Sequence, residues 1–217
     1  MENLLNDEVK EQVKKYLDSM VNPLKMVLFT KEDGCQTCKE TKQLLHEVST
    51  VNDKITLIEK DIDKDSEDAE AYNLGELVPS FVLLDQNDAY TGVKFNGIPA
   101  GHEINSFMNA LLLVSGVDAG IDSKLLERIQ KINKPVDIKV FVTLSCPHCP
   151  GAVSTAHKIA MASEHIEASM IEAQTFTELS KKFKVTGVPK IVFNDDDDIV
   201  GNQPLENFVK KLEEAAA

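Results

Sequence analysis

The stretch VFVTLSCPHCPGAV, Val140–Val153, holds an apolar run, two cysteines three positions apart, and the start of an amphipathic pattern. Val140–Leu144 is short, continuous and rich in valine, which suits a strand buried on both faces. After Cys149, the side chains of Val153, Ala156, Ile159 and Ala160 fall on one helical stripe. The reading is strand, cysteine pair, helix. It recurs 111 residues earlier. There MVLFT, Met26–Thr30, precedes Cys35 and Cys38 in EDGCQTCKE, Glu32–Glu40, and Leu44, Leu45 and Val48 form the following stripe.

Working outward, the two halves keep in step. A second strand follows in each, ITLIEKD at Ile55–Asp61 and IEASMIEA at Ile166–Ala173, then short helical stretches at Asp63–Leu74 and Thr175–Phe183. Next comes a Val-Pro step leading into a strand: LVPSFVLL at Leu77–Leu84 and GVPKIVF at Gly187–Phe193. Pro79 lies 44 residues after Cys35, and Pro189 lies 43 after Cys146. Turns with hairpin chemistry, DQNDA and NDDDD, lead to a last strand. A Gly, a Pro and a closing amphipathic helix complete each half, near Ala100–Val114 and Leu205–Glu214. Extra helices open the halves at Leu4–Met20 and Ser123–Lys131. The Gly/Ser/Asp-rich Ser115–Ser123 places the boundary between units 1–117 and 118–217. One hairpin plus crossover helices implies, for each unit, a central mixed sheet with helices on both faces, an α/β fold repeated in tandem.

The totals narrow the function. The 217 residues allow one or two domains, and 42% are hydrophobic, enough for packed cores. A net charge of −13, from 36 acids against 23 bases, argues against a nucleic-acid or anionic membrane surface. No run reaches the ~20 apolar residues of a membrane span. The acidic, amphipathic start lacks the pattern of a secretory signal, so a cytoplasmic chain is expected. All four cysteines fall in C-x-x-C pairs, which in a reducing compartment read as catalytic or metal-binding.

A C-x-x-C opening a helix after a central strand, with a Val-Pro some forty residues on, resembles the thioredoxin superfamily. Two such units, with FNGIPAGHEINSFMNALLLVSG (Phe95–Gly116) and SCPHCPGAV (Ser145–Val153), resemble the prokaryotic protein disulfide oxidoreductases, which are glutaredoxin-like with tandem thioredoxin folds. The resemblance covers nearly the whole chain. It implies dithiol–disulfide exchange on protein disulfides, by reduction, oxidation or isomerisation. It also implies electrons from a thioredoxin-reductase-type flavoenzyme and a cis bond at Val78–Pro79 and Val188–Pro189. The backbone beside those bonds would pair with an extended substrate. The N-terminal domain of the alkyl hydroperoxide reductase flavoprotein is similar too, and implies electron transfer to a peroxiredoxin. This chain departs from it in keeping both cysteine pairs and in showing no flavin region or nucleotide fingerprint.

The chemistry follows from the residues. Exchange needs an attacking thiolate and a second thiol to resolve the mixed disulfide. A helix start, with its unpaired N–H groups and dipole, lowers a cysteine pKa from ~8.5 to roughly 3.5–7.5. Cys35 and Cys146 are therefore the expected nucleophiles, and Cys38 and Cys149 the resolving thiols. Pro147 is expected at the first helical position, with His148 adding charge or a hydrogen bond near the Cys146 thiolate. Gln36 and Thr37 offer no charge. No bound cofactor is expected, because the cysteines carry the electrons. The strands before the pairs carry no buried acid, which leaves proton transfer from the resolving thiol without an obvious base. Pro150, just after Cys149, would delete a hydrogen bond if the helix began near Cys146.

Rival readings are a zinc site, a chaperone-like binding module and a calcium loop at NDDDDI. Zinc ribbons space their pairs by ~15–20 residues, against 108 from Cys38 to Cys146. NDDDDI lacks the EF-hand ligand pattern and reads as a solvated hairpin tip. His46, His102, His157 and His165 show no ligand spacing and read as surface or core residues.

Overall fold

The computed structural model describes residues 3–217. The first half runs α1 (Asp7–Leu17), β1 (Leu24–Thr30), α2 (Cys38–Ser49), β2 (Ile55–Asp61), α3 (Ser66–Ala71), β3 (Ser80–Leu84), β4 (Tyr90–Asn96) and α4 (Ile104–Val114). A 3-10 turn, Gly101–Glu103, leads into α4. The second half repeats the order: α5 (Ser123–Gln130), β5 (Val136–Val142), α6 (Cys149–Met161), β6 (Ile166–Glu172), α7 (Thr177–Lys182), β7 (Lys190–Phe193), β8 (Asp197–Val200) and α8 (Leu205–Ala215). The order expected from the sequence is present in both halves.

The halves share one sheet. Its eight strands run β2-β1-β3-β4-β6-β5-β7-β8, and β4 joins β6 in parallel through Val93–Asn96 and Ala168–Ile171. Within each half the third and fourth strands form the antiparallel hairpin, and the first two pair in parallel across their helix. Asn194 and Asp195 both take positive φ, 48° and 66°, at the second hairpin's turn. That is the pair of left-handed residues a tight hairpin demands, and Asn and Asp tolerate it best after glycine.

Alternation along the strands sets the layers. Met26 and Leu28 of β1, and Ile138, Val140 and Val142 of β5, face a large core shared with α1, α2, α4, α5, α6 and α8. Val27 and Phe29 point the other way, onto Ala69 and Leu74 around α3. Phe141 likewise meets Phe183 around α7. This period of two is why the apolar runs are continuous: both faces are covered.

The seam between halves is apolar on one face and charged on the other. Phe95 of β4 stacks on Phe81 at 4.8 Å and meets the His157 ring of α6 edge-on at 4.9 Å. Burial pushes the His157 pKa down to about 4, so its ring is neutral there, with Nε2 3.2 Å from the Lys94 carbonyl. On the other face Lys94, 2% exposed, reaches Glu167 of β6 at 2.6 Å. Removing Glu167 would strand the buried Lys94 ammonium, so the pair helps fix how β4 meets β6.

The opening stripe packs as a helix should. Leu5, Val13 and Leu17 are buried; Leu4 and Tyr16 are exposed, and the Tyr16 hydroxyl donates to Asn109 Oδ1 at 2.5 Å. Among the described residues no helix is long and apolar enough to cross a membrane.

Candidate active site

Each cysteine pair sits just past the end of a central strand, and each is closed as a disulfide. The Cα atoms of Cys35 and Cys38 are 5.6 Å apart, and those of Cys146 and Cys149 are 5.5 Å apart. The helices begin later than the sequence pattern suggests. α2 starts at Cys38 and α6 at Cys149, so the first cysteine of each pair lies in the turn before the helix. Thr37 and His148 hold the N-cap positions. Pro147 therefore precedes the cap instead of opening the helix. Pro150 takes the second helical position, where its missing N–H is one the helix would leave unpaired anyway. That accounts for a proline with no evident purpose in the sequence.

Burial divides each pair. Cys35 and Cys146 are partly exposed, while Cys38 and Cys149 are buried at 8% and 0%. Pro147 and His148 are exposed beside Cys146. The peptide bonds Val78–Pro79 and Val188–Pro189 are both cis. The Val188 carbonyl oxygen lies 3.8 Å from Cys146 Sγ. The prolines are buried, and each accepts a 2.8 Å hydrogen bond on its carbonyl, from Gly97 and Gly201 respectively. The sheet ladders begin only at Ser80 and Lys190, which leaves the backbone of Val78 and Val188 outside them.

The two sites share an end of the molecule. β1, β4, β6 and β5 all run in one direction, so both pairs lie at the C-terminal end of their strands on the same edge of the sheet. Four strand steps separate β1 from β5, about 19 Å at the usual interstrand spacing.

Glu103 is brought toward the second site from a part of the sequence that gives no sign of it. It stands in the 3-10 turn of the first half, yet that turn packs against α6 of the second. The His102 N–H donates to the Leu144 carbonyl at 2.9 Å, two residues before Cys146. Gly101 makes that approach possible: its φ is +57°, and a Cβ there would collide with the Leu144 carbonyl oxygen. Glu103 is fully buried, its Oε2 accepts from the Ser106 hydroxyl, and its Oε1 has no partner among the described residues. Desolvation raises its pKa to about 7, with the Ser106 bond opposing. The one hint in the sequence is an acid at the mouth of an otherwise apolar helix.

The rival metal readings meet specific geometry. The four cysteines are paired with each other, and the Asp195, Asp197 and Asp198 carboxylates are taken by Lys139, Lys211 and Lys190. His46, His102 and His165 are exposed; His157 alone is core.

Fold and paired cysteines together are similar to those of thioredoxin-superfamily disulfide oxidoreductases with two units in tandem. The thioredoxin domain family model matches residues 136–214. The alkyl hydroperoxide reductase AhpF of Staphylococcus aureus is 28% identical over 209 residues, 96% of this chain. The Escherichia coli AhpF is 28% identical over 213 residues. The chain spans 38% of the length of these curated relatives. Among solved structures, AhpF of Enterococcus faecalis superposes with a TM-score of 0.90 at 29% identity, over 96% of this chain and 99% of that one. A protein disulfide oxidoreductase from Aeropyrum pernix superposes at 0.89 with 26% identity, over 97% and 93%.

Proposed function

We propose that the two pairs are separate exchange centres for protein disulfides and dithiols, within units that divide at 117/118. Cys35 and Cys146 attack, and Cys38 and Cys149 resolve. The observation that carries this is the split in burial: in each pair one sulfur is reachable by a partner and the other is not. The free backbone at Val78 and Val188 would pair with an extended partner segment at each site. A buried Cys149 thiol must lose its proton before it can close the disulfide. Glu103, on the turn packed against α6 and with its carboxyl pKa raised by burial to about 7, is the candidate acceptor. Electrons would come from a thioredoxin-reductase-type flavoenzyme, in the cytoplasm. The likeness to AhpF along almost the whole chain favours a second reading with the same chemistry, delivery of electrons to a peroxiredoxin.

Trapping tests the roles. Cys38→Ser and Cys149→Ser leave the attacking sulfur without its resolver, and should accumulate mixed disulfides with insulin on non-reducing gels. Cys35→Ser and Cys146→Ser should accumulate none at the altered pair. The reverse pattern would exchange the roles and end this assignment.

The pairs also differ in redox setting. His148 caps α6 beside Cys146, whereas Gln36 and Thr37 bring no charge to Cys35, and Lys31 is taken by Asp63 at 3.1 Å. Stabilising the thiolate stabilises the reduced form, so the second pair should be the stronger oxidant. Each pKa unit between the two nucleophiles is worth about 30 mV for this two-electron couple. Glutathione titration of variants with one pair removed measures both potentials, and equal values would refute the ordering.

A further inference from the structure

The first site carries a docking surface of its own, of a charge the second lacks. An open groove of about 670 Å³ runs beside Cys35, lined by Gly34 just before it and by Val78 of the cis-proline step. Its charged walls are Asp33, Asp63, Glu70 and Glu76 against a single cation, Lys31. Lys31 is held by Asp63. Asp33, Glu70 and Glu76 are exposed and make no ion pair among the described residues. Three uncompensated carboxylates thus flank the place where a partner's sulfur must arrive.

The repeat supplies an internal comparison. Residues 61–78, from the end of β2 through α3 to the cis-proline step, carry seven carboxylates and one lysine. Residues 172–188 fill the same place in the second unit with two carboxylates and three lysines. The backbone order and the cis bonds match, so the fold does not require the charge. The acids of α3 are also not needed for packing: α3 buries only Ala69.

We infer that the first pair serves a protein partner whose face around its own redox cysteines is basic, while the second pair serves a partner without that requirement. The inference rests on the reading of both pairs as exchange centres. In the exchange the Cys35 thiolate attacks one sulfur of the partner's disulfide. Cys38 then closes the Cys35–Cys38 bond, and the partner leaves as a dithiol with the two electrons, one proton coming from Cys38 and the other from water because Cys35 attacked already ionised. The carboxylates act before that step, by raising the rate at which a positive face reaches the groove. Sites 19 Å apart, by the strand spacing above, lie beyond about two Debye lengths at physiological salt, so each reads its own surroundings.

The test uses the full chain with one pair removed at a time, Cys146→Ser with Cys149→Ser or Cys35→Ser with Cys38→Ser. Three synthetic peptides, each with one internal disulfide, carry flanking lysines, flanking glutamates or neither. With the first pair alone, the lysine peptide should be reduced severalfold faster than the glutamate peptide at about 0.15 M salt, where screening separates the two sites, and the gap should close near 0.5 M salt. Glu70→Lys with Glu76→Lys should abolish or invert the preference, and the second pair alone should not favour lysine. Equal rates for the two charged peptides at the first pair, or a preference indifferent to salt and to charge reversal, would overturn the inference. Failure of the first pair to reduce even the uncharged peptide would instead overturn the reading of that pair as an exchange centre, and the inference with it.

Discussion

With Cys35 and Cys146 both replaced by serine, reduction of insulin driven by dithiothreitol should fall to the rate of dithiothreitol alone. A hydroxyl at either position cannot ionise near neutral pH, and the thiolate is the species that attacks. The resolving cysteines remain in such a chain, but Cys38 and Cys149 are buried and present no sulfur to a protein disulfide. Each single replacement should remove one site and spare the other. Pairs on strands four steps apart, about 19 Å at the usual interstrand spacing, are out of reach of each other for exchange inside one molecule, so each turns over on its own. The rates of the two single variants should therefore sum to the parent rate. Activity surviving in the double variant would mean that another group carries the chemistry. Loss of all activity in one single variant would mean that electrons pass through the pairs in series, by way of a partner or a second molecule.

Much of this is legible in the sequence because it is local. The strand–pair–helix unit, the Val-Pro spacing and the hairpin turns are set by periodicity and turn chemistry within a few residues, and each is visible twice. What periodicity does not encode is which edges meet. Val93–Asn96 reads as the last strand of its half, and nothing nearby says that it pairs with β6 of the other half. Lys94 looks like a surface residue until Glu167, 73 positions away, is placed beside it. The late helix starts escape the sequence for a different reason. The turn before each helix satisfies the same residue preferences as a first helical turn, and Pro150 is the sign that the helix has not yet begun at Cys146. Glu103 is invisible because its placement depends on Leu144 and α6, which come from the other half of the chain.

That makes Glu103→Gln the sharpest probe of the second site. In a chain keeping only Cys146 and Cys149, the parent rate should rise with pH through about 7, as the Glu103 carboxyl ionises and becomes able to take the Cys149 proton. The glutamine variant should lose that limb and run on the order of 100-fold slower above it, the scale of one general base. The first pair, tested alone, should be indifferent to the change. Stability separates this from a folding defect, and the sign favours the test. The folded carboxyl has a pKa near 7, above its ordinary 4.5. Below pH 4.5 it is protonated folded or unfolded, and there is no difference between the states. As pH rises from 4.5 to 7 the unfolded chain ionises first, so folding is progressively weakened, by something on the order of 3 kcal/mol at the upper end. Glutamine keeps the hydrogen-bonding shape and cannot ionise, so the variant escapes that loss. Urea unfolding at pH 8 should find it at least as stable as its parent, while exchange at the second pair is slow. A variant that is destabilised at pH 8, or one whose rate and pH profile match the parent, would remove Glu103 from the proton path and return Cys149 to solvent water as its only base.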